Sequence, residues 1–536
     1  LTAPIWSPDP ERAAQAAIAD FVRCASARAG RDLGDPLALH AWSVADFRGF
    51  WRALLDWSDL AWEGEPEPVC VGDEVEHARF FPGLRLNYAE NLLRSRTPGD
   101  DQRTAVIACA EDGARRSLTR AELRARTLAL AAALRARGMA PGQRVAAFAR
   151  NTEEPLLAAL AASTLGLAFA SSSTDLAADA VLSRFAQVEP RVLFAHGSSR
   201  LHGRDEDLRP RLAQIVAGLP DLGLLVAMDE AAAEIDAGAV PIVRFAELLA
   251  EGAALESPPF ARLPFDQPLF VLFSSGTTGV PKCIVHGVGG TLLEHWKEQR
   301  LHADFGPEDL LYFHTSAGWM MWNWQLSALA CGTAVLLYDG SVSYPGPDAL
   351  PRLLAREGVT VFGTSPTYLQ LLKDAGLRPR DLADWPRLRA IQSTGSILWD
   401  HLYDWVHEAW AKVPIQSISG GTDIVGCFVL GHPQRPLWRG ESQALSLGHD
   451  LRAFTAEGPL TVGTGDLVCA RPFPSRPVHF LGDPDGARFH AAYFVEHEGY
   501  WNHGDRIELT ERGTARILGR NDGTMNVRGV RIGPAE

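Results

Sequence analysis

The sequence predicts an α/β protein: a large unit of two α/β subdomains with parallel-rich sheets, followed by a small β-barrel-like lobe. Two observations predict it. Short β-branched runs alternate with helical patterns from about residue 104 to 194, and the alternation resumes after 268. From about 445 onward the β segments are short and separated by Gly and Pro. At 536 residues the chain is too long for one core, and its 46% hydrophobic content suits packed structure throughout.

Taken in order, residues 1–75 carry short helical patterns with aromatics, such as Trp42 to Phe47 and Phe50-Trp51. Thr104–Ala108 reads as a strand. Thr119-x-x-Glu122 is a capping box opening a helix that runs to about Arg137, where Gly138 and Pro141 stop it. Strands follow at Val145–Phe148, Ala168–Ser172 and Arg191–Phe194, with helices at Glu153–Leu165 and Leu176–Gln187 between them. Residues 196–262 are rich in Ala, Glu and Leu and carry little specific signal. Pro268–Phe273 is a continuous apolar strand, and Cys283–His286 a second, closed by Gly287. Val335–Tyr338, Val359–Phe362 and Arg389–Gln392 complete the strand set, with helices between them.

Composition narrows the function. Lys and Arg number 51 against 65 Asp and Glu, a net charge of −14. That balance argues against a nucleic-acid surface and gives no steering toward an anionic membrane. The seven cysteines are scattered without a Cys-x-x-Cys, so neither a disulfide framework nor a zinc site is expected and a cytoplasmic location is. No apolar run has the length of a membrane span, and the amino end lacks a signal-peptide core. The chain begins at Leu1, so its start is expected to be trimmed.

Between the strands at 268–273 and 283–286 lies Ser274-Ser275-Gly276-Thr277-Thr278-Gly279-Val280-Pro281-Lys282. Glycines let backbone N–H groups approach an anion, the hydroxyls add donors and Lys282 adds charge. The spacing is not that of a Walker loop, which has four residues between its glycines and a Lys directly after the second. A Walker loop also feeds a helix, whereas this one feeds a strand. The reading is therefore strand–loop–strand around a polyphosphate, against an ordinary Gly/Ser/Thr hairpin turn. Further on, Ser419-Gly420-Gly421-Thr422-Asp423 sets a hydroxyl for phosphate beside a carboxylate for Mg²⁺, an ion that prefers oxygen ligands. Tyr500 to Asp505 ends in an acid suited to both hydroxyls of a ribose. Gly519-Arg520-Asn521-Asp522-Gly523 places an arginine and an acid at a turn. Each segment alone is more often just a turn.

In this order and spacing the series resembles the acyl-adenylate-forming superfamily, and the resemblance covers nearly the whole chain. Lys282 to His295, Ala317 to Trp324, Phe81 to Asn91 and Gly523 to Glu536 are similar to its acetoacetate-activating acid–CoA ligases. Trp319-Met320-Met321-Trp322-Asn323-Trp324 is the most specific of these runs. The resemblance implies an acyl-CoA synthetase-like fold and a two-step reaction. A carboxylate attacks the α-phosphorus of ATP in the presence of Mg²⁺, giving acyl-AMP and pyrophosphate; CoA thiolate then displaces AMP. Such an enzyme positions and neutralises phosphates rather than supplying a covalent nucleophile. The catalytic residues it implies are Thr278, Lys282, Thr422 and Asp423, with Asp423 also the metal ligand. Ser274, Ser275, Gly276, Thr277 and Gly279 complete the phosphate loop. Gly395, Ser396 and Ile397 would lie against adenine and ribose, with Ser417, Ser419, Gly420 and Gly421 on the other side. Asp505 would hold the ribose, Arg520 ribose or phosphate, and Arg531 phosphate or CoA, while Asp522 would be a hinge. The superfamily more often has Glu at the Asp423 position, so a water bridging to the metal is allowed for.

The resemblance also implies an organisation. Residues 1–100 would be an amino-terminal helical extension packed on the main domain. An adenylation domain would span 101–520 with its β lobe at about 445–520, and 521–536 would begin a carboxy-terminal domain. That domain carries a catalytic lysine in the family. Because the sequence runs only to Glu536, most of it is expected to be missing and activity impaired. For the acid, acetate-specific relatives place a tryptophan just before the Thr-acid pair. Here Ser419-Gly420-Gly421 stands in that region, so Trp319, Met320 and Gly420 are expected to line a roomier pocket for acetoacetate. Butyrate and 3-hydroxybutyrate have similar volumes, and the sequence does not identify the donor to a keto oxygen, for which His314 is a candidate. A carrier-loading adenylation domain and a non-catalytic relative remain as alternatives. The expected partners are acetoacetate, ATP and CoA, with no nucleic acid or membrane, and the chain is expected to be monomeric.

Overall fold

Val145, Ala147 and Ala149 face one hydrophobic core while Ala146 and Phe148 face another. This is the period-2 alternation of a strand buried on both sides. A computed structural model describes residues 3–274 and 281–521, and the backbone alone of strands Met525–Val527 and Val530–Ile532. The first sheet has eight strands, in the order Ile242–Arg244, Leu224–Ala227, Val192–Ala195, Arg144–Ala149, Ala168–Ser173, Pro268–Ser274, Lys282–Gly287 and His479–Phe480. The first six are parallel. The last two pair antiparallel.

The second sheet has seven strands, ordered Ile415–Ser417, Ala390–Ser393, Val361–Thr364, Leu310–Phe313, Ala334–Asp339, Thr104–Ala110 and Arg115–Thr119. Only the last pairing is antiparallel. Leu311, Phe313, Val335 and Leu337 join the core that holds Val145, whereas Leu310, Tyr312 and Leu336 face away from it. One core therefore contacts a face of each sheet. Helix Glu153–Leu165 belongs to it, and every residue from Pro155 to Leu165 is buried. The expected capping box is present: Thr119 Oγ1 accepts from Glu122 N at 3.2 Å and Glu122 Oε2 from Thr119 N at 2.8 Å. The lobe after 445 is a five-stranded antiparallel sheet, ordered Gly458–Leu460, Leu451–Thr455, Gly463–Cys469, Trp501–Leu509 and Ala515–Arg520.

Residues 196–262, which carried little signal, contain strands Leu224–Ala227 and Ile242–Arg244 at the edge of the first sheet. They also contain helices Arg209–Ala217 and Phe245–Ala253. All seven cysteines are free and six are buried. Among the described residues, no helix is long and apolar enough to cross a membrane.

The amino-terminal helices Ala17–Ala29, Pro36–Ala45 and Phe47–Trp57 pack onto the rest of the chain. Gly448 N donates to Ser43 Oγ at 2.9 Å, and Lys297 Nζ sits 5.2 Å from the Trp51 ring centre. Asn87 makes the tightest tie. Its Oδ1 caps helix Tyr88–Leu93 by accepting from Glu90 N. Its Nδ2 donates to Ser163 O, Thr164 O and Ala261 O at 3.0–3.2 Å. Two of these carbonyls end helix Glu153–Leu165, where intrahelical partners run out. Ser163 O and Thr164 O keep Gly166 N and Ala261 N as second donors, so Asn87→Ala removes three hydrogen bonds and the cap, each worth about 0.5–1.5 kcal/mol, without orphaning those two carbonyls. Chemical denaturation of Asn87→Ala is expected to show a loss of at least about 2 kcal/mol; a loss under about 0.5 kcal/mol contradicts this role.

Candidate active site

Strands Pro268–Ser274 and Lys282–Gly287 form an antiparallel hairpin in which Ser274 is registered directly against Lys282. The strand–loop–strand reading therefore holds at both flanks of the loop. Ser275, Gly276, Thr277, Thr278 and Gly279 lie outside the described residues, as do Asp522 and the side chain of Arg531. Arg531 lies on strand Val530–Ile532, its backbone paired with Asn526.

Beside the hairpin opens a cleft of ≈ 240 Å³. The two large sheets and the antiparallel sheet all contribute to it. The first sheet supplies Ser172 and Ser274 at strand ends, both hydroxyls without a hydrogen-bond partner among the described residues. The second sheet supplies Gly395, Ser396 and Ile397 after one strand and Ser417 at the end of another. Trp319, Met320 and Met321 line the cleft at the start of helix Met320–Ser327. Ser419, Gly420, Gly421 and Thr422 line it from the segment after Ile415–Ser417, and Asp505 and Arg520 from the antiparallel sheet. The structure thus gathers around one space residues that span most of the sequence. His314 is not among the lining residues; it is half-buried near Tyr312, whose hydroxyl is 3.4 Å from His314 Nδ1.

Lys282 and Asp423 meet, with Nζ 2.9 Å from Oδ1. The same oxygen accepts from Tyr493 OH at 2.6 Å. Asp423 is 2% exposed. A buried carboxylate needs such partners, because its desolvation is costly unless compensated. Tyr493 also offers its ring face to the ammonium at 4.9 Å and stacks on Trp501 at 3.9 Å. Sequence reasoning missed Tyr493: it stands in helix Ala487–Tyr493, far from any motif, and only the fold brings it to Asp423.

Two further missed residues hold the turn that carries Asp423. His286 Nε2 donates to Thr422 O at 2.8 Å and His295 Nε2 to Val425 O at 2.5 Å. A carbonyl only accepts, so both rings carry the proton on Nε2. Burial pushes the two imidazole pKa values down to about 4 and about 3, so both are neutral near pH 7. His295 Nδ1 takes the Ser327 hydroxyl at 2.7 Å, and Ser327 is 2.6 Å from Tyr88 OH. Val425 itself has φ 47°, a left-handed conformation that β-branched residues rarely adopt. The surrounding hydrogen bonds hold it there.

Asp505 and Arg520 are cross-strand partners, and Arg520 Nη1 donates to Asp505 Oδ1 at 3.0 Å and to His503 O at 3.1 Å. Beneath Gly426 and Cys427 lies a buried charged cluster. Lys297 Nζ donates to Glu294 Oε1 at 2.7 Å, while Glu298 accepts from Cys427 N at 2.5 Å and Trp324 Nε1 at 2.6 Å. Burial, and next the Glu294 charge, raise the Glu298 pKa well above the ordinary range. Gly420 has a backbone reason to be glycine: a Cβ there would lie 2.0 Å from Gly426 O and 2.5 Å from Cys427 Cα. The glycine is thus required by two strands that approach each other here, a reason separate from the roomier pocket expected of it. A tryptophan does not fit at this position on this backbone.

The residues present fit a nucleotide with Mg²⁺: a buried oxygen ligand at Asp423, an ammonium beside it, unpartnered hydroxyls at Ser172 and Ser274, and an acid at Asp505. The profile described as AMP-binding enzyme matches residues 94–457. The chain belongs to the AMP-binding enzyme family. A second profile, Acetyl-coenzyme A synthetase N-terminus, matches residues 37–92, the segment that holds Asn87. The chain is 42% identical over 538 residues to an acetoacetyl-coenzyme A synthetase of Rhizobium meliloti (strain 1021), covering 99% of this chain and 82% of the relative. It is 34% identical to a malonamoyl-CoA synthetase of Penicillium aethiopicum, covering 96% and 74%. The solved acetoacetyl-CoA synthetase from Streptomyces lividans superposes with a TM-score of 0.92 at 40% identity, covering 100% of this chain and 82% of that one. The shared fold is that of acyl-CoA synthetases. These matches run through nearly all of this chain and lend no support to the expected impairment.

Gly420→Ala and Gly421→Ala separate the two glycines. A Cβ at Gly421 meets nothing closer than His503 at 3.6 Å. Thermal melting is expected to fall by several degrees for Gly420→Ala and to stay near the parent value for Gly421→Ala; equal melting temperatures contradict the close approach at Gly420.

Proposed function

We propose that the chain is an acid–CoA ligase for acetoacetate. ATP and acetoacetate give acetoacetyl-AMP and pyrophosphate, and CoA then gives acetoacetyl-CoA and AMP. The observation that carries this reading is the 42% identity to an acetoacetyl-coenzyme A synthetase across 99% of the chain. The cleft's chemistry supports it. A free carboxylate resists substitution because oxide is a poor leaving group, and adenylation replaces oxide with AMP. The protein's part is to orient two anions that repel each other and to offset their charge.

In this reading Lys282, with Ser274, Ser275, Gly276, Thr277, Thr278 and Gly279, holds the β- and γ-phosphates. Thr422 hydrogen-bonds the α-phosphate. Asp423 holds Mg²⁺, which when bound offsets phosphate charge as a Lewis acid. Tyr493 keeps Asp423 in place when Lys282 turns to the phosphates. Gly395, Ser396 and Ile397 lie along the nucleoside, facing Ser417, Ser419 and Gly421. Asp505 accepts from the ribose hydroxyls, and Arg520 orients Asp505. Ser172, which the sequence did not suggest, adds a donor at the cleft wall. Trp319, Met320 and the Gly420 backbone surround the acid, Asp522 is a hinge, and Arg531 approaches phosphate or CoA. Residues 1–100, 101–520 and 521–536 form extension, adenylation domain and hinge segment, in a protein of the cytoplasm.

The malonamoyl-CoA synthetase relative favours one second reading. Malonamate differs from acetoacetate by an amino group in place of the terminal methyl, so both present a carbonyl at the same distance from the carboxylate. An acid panel decides between them: acetate, butyrate, 3-hydroxybutyrate, acetoacetate and malonamate, assayed for ATP-dependent CoA thioester. Acetoacetate is expected to exceed butyrate in kcat/KM by about 10²-fold or more, because a site that hydrogen-bonds a carbonyl rejects the analogue lacking it. Equal rates with butyrate, or a preference for malonamate, would overturn the assignment of acetoacetate.

A further inference from the structure

On and beside the antiparallel sheet, none of them a cleft-lining residue, Asp466, Glu496 and His497 each present a ligand atom, all within 4.8 Å of one another. Asp466 stands on strand Gly463–Cys469. Glu496 and His497 lie in the segment that leads into strand Trp501–Leu509. His497 Nε2 is 3.4 Å from Asp466 Oδ2, and the His497 side chain is only 10% exposed. Despite its burial, Nε2 makes no hydrogen bond among the described residues. A ring nitrogen is thus enclosed against a carboxylate oxygen without the geometry of a hydrogen bond.

That spacing is the one a cation resolves. Tetrahedral bonds of about 2.0–2.2 Å place neighbouring ligand atoms roughly 3.4 Å apart. The groups are also held from outside. Asn502 Nδ2 donates to Glu496 Oε2 at 2.5 Å, and the Phe454 ring lies over the imidazole at 4.3 Å. Such supporting contacts orient ligands at metal sites. Arg506 is the cross-strand partner of Asp466, yet the two form no ion pair among the described residues. We propose that Asp466, Glu496 and His497 form a site for a divalent transition ion of the zinc type. One imidazole and two carboxylates suit Zn²⁺, whereas Mg²⁺ and Ca²⁺ take all-oxygen sets. The fourth position is left to water. The ion braces strand Gly463–Cys469 against the segment feeding the strand that carries Asp505, distinct from the Mg²⁺ position at Asp423.

The test uses the full chain, stripped with a chelator and dialysed against Zn²⁺ without nucleotide. Bound zinc is counted by elemental analysis, and melting is followed with Zn²⁺ or Mg²⁺ added. The parent protein is expected to hold about one zinc per chain and to melt higher with Zn²⁺ but not with Mg²⁺. His497→Ala is expected to lose both effects. Glu496→Gln, an exposed change that leaves the packing intact, is expected to weaken zinc binding by about tenfold or more. No zinc above background in the parent, or equal zinc content and melting shifts in the parent and Glu496→Gln, would overturn the site. So would an Mg²⁺ shift that is as large as that with Zn²⁺ and is lost in Glu496→Gln.

Discussion

The Lys282–Asp423 ion pair, 2.9 Å long, is the contact around which the cleft is organised. Its two partners come from different parts of the fold, a hairpin toward one end of the first sheet and a tight turn after the second. Tyr493 adds a helix of the carboxy-terminal lobe to the same oxygen. Removing one member of a buried pair costs about 3–5 kcal/mol, because the other charge is left without compensation. The pair therefore fixes where three elements meet. It also holds a carboxylate oxygen and an ammonium side by side, the two groups that the proposed function gives to a metal and to phosphate.

The turn bearing Asp423 is held as firmly as the charge. His286 and His295, both on the segment that begins with Lys282, bind the carbonyls at the two ends of the turn. Burial keeps both rings neutral, so they act as fixed donors and not as titrating switches near pH 7. From His295 the hydrogen bonds run through Ser327 to Tyr88, which is capped into its helix by Asn87. The amino-terminal segment is thereby tied to the site turn through His295, Ser327 and Tyr88. Its packing against helix Glu153–Leu165 through Asn87 anchors these hydrogen bonds at the other end.

Much of this was legible in the sequence because it is local. The alternation of short apolar runs with helices gave most of the parallel strands, usually to within two residues, but not Leu310–Phe313 or Ile415–Ser417 of the second sheet. Thr119 and Glu122 announced their helix by spacing alone. Ser274 and Lys282 read as the two ends of a loop between strands because both flanks were strand-like, and the antiparallel register between them comes from the structure. What was not legible depends on distance along the chain. Leu224–Ala227 and Ile242–Arg244 are short and sit in Ala-rich surroundings, so only pairing with the sheet identifies them. Tyr493 reaches Asp423 across 70 residues with no motif of its own. Gly420 read as an opening for substrate, and the physical cause lay in an approach to Gly426 O that no one-dimensional pattern encodes. Asp505 and Arg520 were both picked out, yet their partnership appears only as a register between two strands.

The most direct test of the account is a crystal structure of the chain with ATP and Mg²⁺ bound, read at Asp423. The account predicts that Lys282 leaves Asp423 for the phosphates, that the freed oxygen faces Mg²⁺, and that Tyr493 keeps its hydrogen bond to Asp423. A nucleotide complex in which Lys282 and Asp423 remain paired at 2.9 Å, with Mg²⁺ held elsewhere, would contradict it.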